Sequence, residues 1–225
     1  MFDIFNSLVT DAIRKLGEGY FLVVDSGHGW LTGGKRSIDG SLRENEFNTG
    51  VEDKLTLLLS FSGLNYEQTA PGWKDEGLQM RKVIENKLFL DAKKDARQLI
   101  GVSIHADAFK ADTSANGFCV YYYKKGSRES TKGKILARCI ADKIIESDKK
   151  NGYDVRARHS SGIKGQNYFM LRETKGVWVL IENAFMTNPE ELKLLKNDKF
   201  RNDRAYAIFR GILNYLKNYK KSLRS

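Results

Sequence analysis

Hydrophobic positions recur along this chain with two different periods. Phe5, Leu8, Val9, Ala12, Ile13 and Leu16 share the spacing of one helical face, which ends at Gly17. Residues 20–24 are an aromatic and β-branched run with no polar break, which predicts a strand buried on both faces. The run leads into Asp25-Ser26-Gly27-His28-Gly29, a glycine-punctuated turn, and residues 30–42 read as a loop. Phe47, Val51, Leu55 and Leu58 then mark a helix, and residues 64–69 a second strand stopped by Pro71-Gly72. A long helix is predicted over 78–98, and strands over 99–104, 118–123 and 177–181. Further helices are expected over 132–147, from Pro189 onward, and over 202–219. Strands alternating with helices of this length predict a single-domain α/β fold. Its sheet should be mixed, mostly parallel and twisted, with helices on both faces. The expected division is an amphipathic helix over 1–19 packed on the domain, a body over 20–219 and a basic tail over 220–225.

Composition narrows the class. The chain has 225 residues, 41% hydrophobic and 29% charged, which suits one folded domain rather than a disordered chain. No apolar run reaches the ~18–20 residues that span a bilayer, so no stable membrane insertion is expected. Lys plus Arg exceed Asp plus Glu by 38 − 28 = 10, which favours an anionic partner. The basic residues are scattered, apart from Lys217, Lys220, Lys221 and Arg224 near the end. Nucleic-acid binders concentrate them beside aromatics or on one helix, so nucleic acid is not the expected partner. Cys119 and Cys139 form no CxxC pair and read as two buried free thiols.

The candidate chemistry lies at strand ends. His28 and His105, two of three histidines, follow predicted core strands directly, where open α/β sheets place their active sites. One such histidine is more often structural than a ligand. Two of them, beside Gly27 and Gly29 and before Ala106 and Ala108, shift the balance. A catalytic zinc takes three protein ligands and keeps a position open, so a third donor is needed. Glu44 and Glu46 both open the next helix. At ~100° per residue, Glu44 falls roughly 25° from the mean direction of Phe47, Val51, Leu55 and Leu58, and Glu46 points roughly 135° away. Glu44 is therefore the inward residue, and Glu46 better fits a charge that favours the helix dipole. Glu182 ends a strongly apolar strand, where a carboxylate is costly unless paired or used. Such a setting raises its pKa, as suits a general base.

With these positions in view, the sequence resembles the zinc N-acetylmuramoyl-L-alanine amidases. The matching motifs are Val24-Asp25-Ser26-Gly27-His28-Gly29, Glu44 with Asn48, Ser103-Ile104-His105-Ala106-Asp107-Ala108, and the run from Leu180 through Glu182 to Pro189. Arg81 with Asn86, and the helix reaching Gly211 to Tyr215, also fit. The resemblance covers about 20–219. It implies His28, Glu44 and His105 as zinc ligands and Glu182 as the catalytic glutamate. It further implies peptidoglycan as substrate and the amide between the muramic acid lactyl group and L-alanine as the bond cut. Ser26 stands where the family often has proline. Thr69-Ala70-Pro71 replaces a common threonine-arginine pair, and Asn183-Ala184 replace threonine and glycine.

Substrate contacts are expected from the polar segment around His159. Arg156 and Arg158 suit a bidentate grip on peptide or lactyl carboxylates, and Asn167 is a further candidate. His159 itself reads as a solvated loop residue. Two rival readings stand beside the amidase: a zinc peptidase cutting within the stem peptide, and a non-catalytic module that binds wall polymer or nucleic acid. The amphipathic start lacks the pattern of a secretory signal. The expectation is a monomer made in the cytoplasm that reaches the wall after release, in the manner of a phage endolysin.

Overall fold

The computed structural model describes residues 2–69 and 76–222, with side chains over 9–69 and 76–218. Ala70 and Pro71-Gly72, and the side chains of Phe5, Leu8, Lys220, Lys221 and Arg224, lie outside the described residues. Helix α1 (Phe2–Gly17) is followed by strand β1 (Tyr20–Ser26), α2 (Glu44–Phe61), β2 (Tyr66–Gln68), α3 (Leu78–Lys94) and β3 (Gln98–Asp107). Then come β4 (Cys119–Lys125), β5 (Arg128–Glu129), α4 (Thr131–Asn151), a 3-10 turn (Arg158–Ser160), β6 (Ile163–Gln166) and α5 (Phe169–Glu173). The chain closes with β7 (Val177–Phe185), α6 (Pro189–Lys196) and α7 (Asp198–Ser222).

The strands form one sheet in the order β2-β1-β3-β7-β4-β5, with β6 paired to β4. β2, β1, β3 and β7 run parallel, and β4 reverses against β7. This is the expected mixed, mostly parallel sheet, and it carries helices on both faces. Alternation along the strands divides the core. Leu22, Val24, Ile100, Val102, Ile104, Val179 and Ile181 pack with residues of α2, α4 and α7. Val23, Leu99, Trp178 and Leu180 pack on the opposite face with Ala92 of α3 and Met170 and Leu171 of α5. Ile13 and Leu16 of α1 pack against the first cluster. Among the described residues no helix is long and apolar enough to cross a membrane. Cys119 and Cys139 are free and buried, as expected.

Several boundaries differ from the sequence reading. The helix expected to reach residue 98 stops at Lys94, because Ala96 adopts a φ of 53° and turns the chain into β3. β3 and β7 extend past the apolar runs to Asp107 and Phe185, so their ladder continues through the polar pair His105 and Glu182. α7 starts at Asp198, four residues early. The short β5, β6 and α5 carry too few periodic positions to be seen as elements.

Candidate active site

The site assembles at the C-terminal ends of β1, β3 and β7. In the parallel register Asp25 lies beside Ser103, and His105 beside Glu182. Ser103 and His105 are two residues apart on one strand and so share a face. Gly27 makes room for the ring: a Cβ there would lie 2.0 Å from Cε1 of His105. His28 follows with φ of 60°, uncommon for a residue with a Cβ. Its turn is held from several sides. Asn45 Nδ2 donates to the His28 carbonyl at 2.9 Å, Asn48 Nδ2 to the Gly27 carbonyl at 2.8 Å, and the Gly29 amide to Thr32 Oγ1 at 2.9 Å.

Glu44 opens α2 and reaches over the strand ends. Its backbone amide donates to the Lys35 carbonyl at 2.9 Å. Its Oε1 lies 3.0 Å from His105 Nδ1, and its Oε2 lies 3.5 Å from His28 Nε2 and 3.9 Å from Lys35 Nζ. The two imidazoles meet edge to face, 5.1 Å between centroids. His28, Glu44 and His105 thus each offer one donor atom, all within 4.8 Å of one another. Glu46 points elsewhere, toward Arg201 Nη2 at 3.2 Å.

The electrostatics follow from burial and from these partners. Burial acts to raise Glu44, but the hydrogen bond and charge of His105, with His28 and Lys35 nearby, hold it below the usual carboxylate range. Burial drives His28 down to about 4, against the pull of Glu44. It works the same way on His105, where the Glu44 hydrogen bond and the charges of Glu182 and Glu44 reverse the outcome and raise it. Burial pushes Glu182 up to about 8, with His105 opposing and Asp107 adding to the shift. Among the described residues, Glu182 Oε2 is buried without a hydrogen-bond partner. Two nitrogens and a carboxylate beside one unpaired acid are the donor chemistry that zinc takes in open sites.

Arg156, Arg158 and Asn167, the expected substrate contacts, differ in exposure and partners. Arg158 does not face open solvent. It pairs with Asp107 at 2.9 Å and lies over the Phe185 ring at 4.7 Å. Arg156 is exposed and donates to the Asn116 carbonyl at 3.3 Å, while Asn167 accepts from Arg172. His159 is exposed, as expected of a loop residue. The sequence reading gave no role to Asp25, Ser103 or Asn45. The signal for Ser103 was available: two residues before His105 in a strand means the same face.

The fold and the donor cluster together define an α/β protein with a candidate metal site at the C-terminal edge of its parallel strands. The family described as N-acetylmuramoyl-L-alanine amidase matches residues 22–214, and the chain belongs to it. It is 28% identical to an uncharacterised cell wall amidase of Bacillus anthracis, over 88% of this chain and 36% of that one. It is 29% identical to the endolysin of Bacillus phage SPP1, over 88% of this chain and 67% of that one. The crystal structure of an N-acetylmuramoyl-L-alanine amidase from Clostridium difficile 630 superposes with a TM-score of 0.75 at 28% identity, covering 88% of this chain and 97% of the other. The chain thus spans about a third of the Bacillus anthracis relative and nearly the whole of the clostridial structure.

Proposed function

We propose that this chain is a zinc-dependent peptidoglycan amidase that cleaves the bond between the lactyl group of N-acetylmuramic acid and L-alanine. The observation that carries the reading is the pairing of His105 with Glu182 across β3 and β7. It places an unpaired, raised carboxyl beside a three-donor cluster. Family membership supplies the bond. His28, Glu44 and His105 would hold the ion, and zinc in such a set supplies a Lewis acid for the scissile carbonyl and the attacking water. Glu182 accepts the proton of that water as its oxygen bonds to the carbonyl carbon. The same carboxyl then delivers the proton to the departing nitrogen, which leaves as the free amine of L-alanine. A raised pKa suits a group that must both take and give a proton near neutrality. Arg156, Arg158 and Asn167 are the proposed contacts for substrate carboxylates and carbonyls. The surplus of ten positive charges fits the carboxylate-rich wall.

Mass analysis of fragments released from purified peptidoglycan tests this reading. The wild-type chain should release peptides that begin with a free L-alanine amine, and a chelator should abolish release. Glu182→Gln keeps size and should keep its metal, while losing rate by about 10²–10⁴-fold. Fragments cut within the stem peptide would make the chain a peptidase. Binding with no fragments would make it a wall-binding module.

A further inference from the structure

Behind the donor cluster runs a chain of buried polar side chains that reaches His105 from the side away from Glu44. Arg81, on α3, donates from Nη1 to Asp25 Oδ1 at 2.6 Å and to the Ser26 carbonyl at 2.6 Å. Its Nε donates to the Glu76 carbonyl at 2.6 Å. Thr69 Oγ1 donates to the same Asp25 oxygen. The other oxygen of Asp25 accepts the Ser103 hydroxyl at 2.5 Å, and Ser103 Oγ lies 3.1 Å from His105 Nε2. Asp25, Ser103 and Arg81 are all buried.

The direction of these bonds is fixed by chemistry. A carboxylate held by a guanidinium only accepts, so the Ser103 hydroxyl proton must point at Asp25. The Ser103 oxygen is then left as an acceptor, and His105 Nε2 must carry the proton that meets it. An imidazole with its proton on Nε2 has its lone pair on Nδ1. That atom faces Glu44 Oε1 at 3.0 Å. Two acceptors facing each other at that distance need a proton or a cation between them.

We infer that Ser103 is a positioning residue, which, oriented by Asp25 and Arg81, fixes the Nε2–H tautomer and ring angle of His105 and so presents its Nδ1 lone pair to the metal. The inference rests on the proposed zinc site and adds residues to it. Gly27 closes one side of the ring, where any Cβ would collide with it. With Ser103 on the other side, the imidazole has little freedom to flip. Outer partners of this kind set both ligand orientation and basicity, and losing one costs roughly 10–100-fold in metal affinity.

The test is zinc titration against a competing chelator, with the protein labelled at histidine nitrogen. In the wild type, one zinc should bind per chain, and nitrogen–proton spectra should show His105 with its proton on Nε2. Ser103→Ala should weaken zinc by roughly 10–100-fold, and the His105 Nε2 proton should then exchange rapidly with water. Ser103→Thr keeps the hydroxyl and should restore both affinity and the protected proton. Should Ser103→Ala not fold, Ser103→Cys makes the same comparison with volume kept and hydrogen bonding weakened. Equal affinity and an unchanged spectrum in Ser103→Ala would overturn the inference while leaving the zinc site standing. So would a Ser103→Thr variant as weak as the alanine one. A wild type that binds no zinc would overturn the site itself, and this inference with it.

Discussion

Glu44 and Glu52 are two carboxylates on one face of α2, eight residues and about 12 Å apart along the helix axis. They are equally hidden, at 2% and 1% exposure. Their charge states diverge. Glu44 is held below the usual carboxylate range by His105, His28 and Lys35. Glu52 is pushed up to about 8 by burial, which the Ser26 hydroxyl offsets only in part and the charge of Asp25 reinforces. Among the described residues no donor makes a well-formed hydrogen bond to either Glu52 oxygen. Position adds to the difference: Glu44 sits in the first turn, where the helix dipole favours a negative charge, and Glu52 lies mid-helix. Burial alone therefore does not make a carboxylate neutral. The donors around it decide, and only the charged one is equipped to hold a cation.

The largest expected effect separates the two residues by metal. Glu44→Gln removes the only carboxylate of the donor cluster and should leave the chain without tightly bound zinc and without activity. Glu52→Gln should bind one zinc per chain as the wild type does. Elemental analysis of dialysed protein reads both outcomes. Zinc lost from both variants alike would mean that α2 carries the site as a unit, and the contrast between the two acids would fail.

A smaller effect separates them by pH. The folded chain holds a proton on Glu52 up to about 8, whereas an ordinary glutamate releases it near 4.5. Between those values the folded state binds more protons than the unfolded one, so this residue makes stability fall as pH rises. Below 4.5 its contribution is fully present, and above about 8 it is lost. Glu52→Gln does not titrate. Its unfolding free energy should drop less than the wild type's between about pH 5 and 8, by a few kcal/mol. Denaturant melts at both pH values measure the difference. Parallel pH slopes in the two proteins would show that Glu52 is charged in the folded state.

How much of this could be read in the sequence depends on whether a feature is local. The apolar runs of β1, β3 and β7 and the helical phase of α2 are carried by adjacent residues. Those were enough to set His28, Glu44, His105 and Glu182 toward one edge. The extension of β3 through His105 was not legible, because a strand that ends in polar residues looks like a loop until its partner is known. Glu182 supplies that partner in the cross-strand register. Glu52 was missed for a similar reason. Its burial depends on how α2 lies against Ser26 and Gln68, which no spacing within the helix reveals. The pairing of Arg158 with Asp107 joins segments far apart in the chain, which no local pattern displays.

The smallest effect is expected at Glu46, the other acid in the first turn of α2. A shift of two residues turns a side chain by ~200° around the helix, so Glu46 leaves the cluster and meets Arg201 on α7 at 3.2 Å. Its side chain is 44% exposed, where an ion pair is worth at most ~1 kcal/mol. Arg201 keeps a second acceptor, because its Nε donates to the Leu195 carbonyl at 2.8 Å. Glu46→Ala should therefore bind zinc with unchanged stoichiometry and affinity, and should cost no more than about 1 kcal/mol in a melt, part of it from the lost dipole interaction. This variant tests whether the phase of α2 governs the contrast. Glu44 and Glu46 have nearly the same sequence position, the same charge and the same helix terminus, and they differ only in direction. Loss of zinc from Glu46→Ala, with zinc retained in Glu44→Gln, would show that α2 is rotated about its axis relative to the strands. Glu46 would then be the carboxylate that meets His28 and His105, and Glu44 the one turned toward α7.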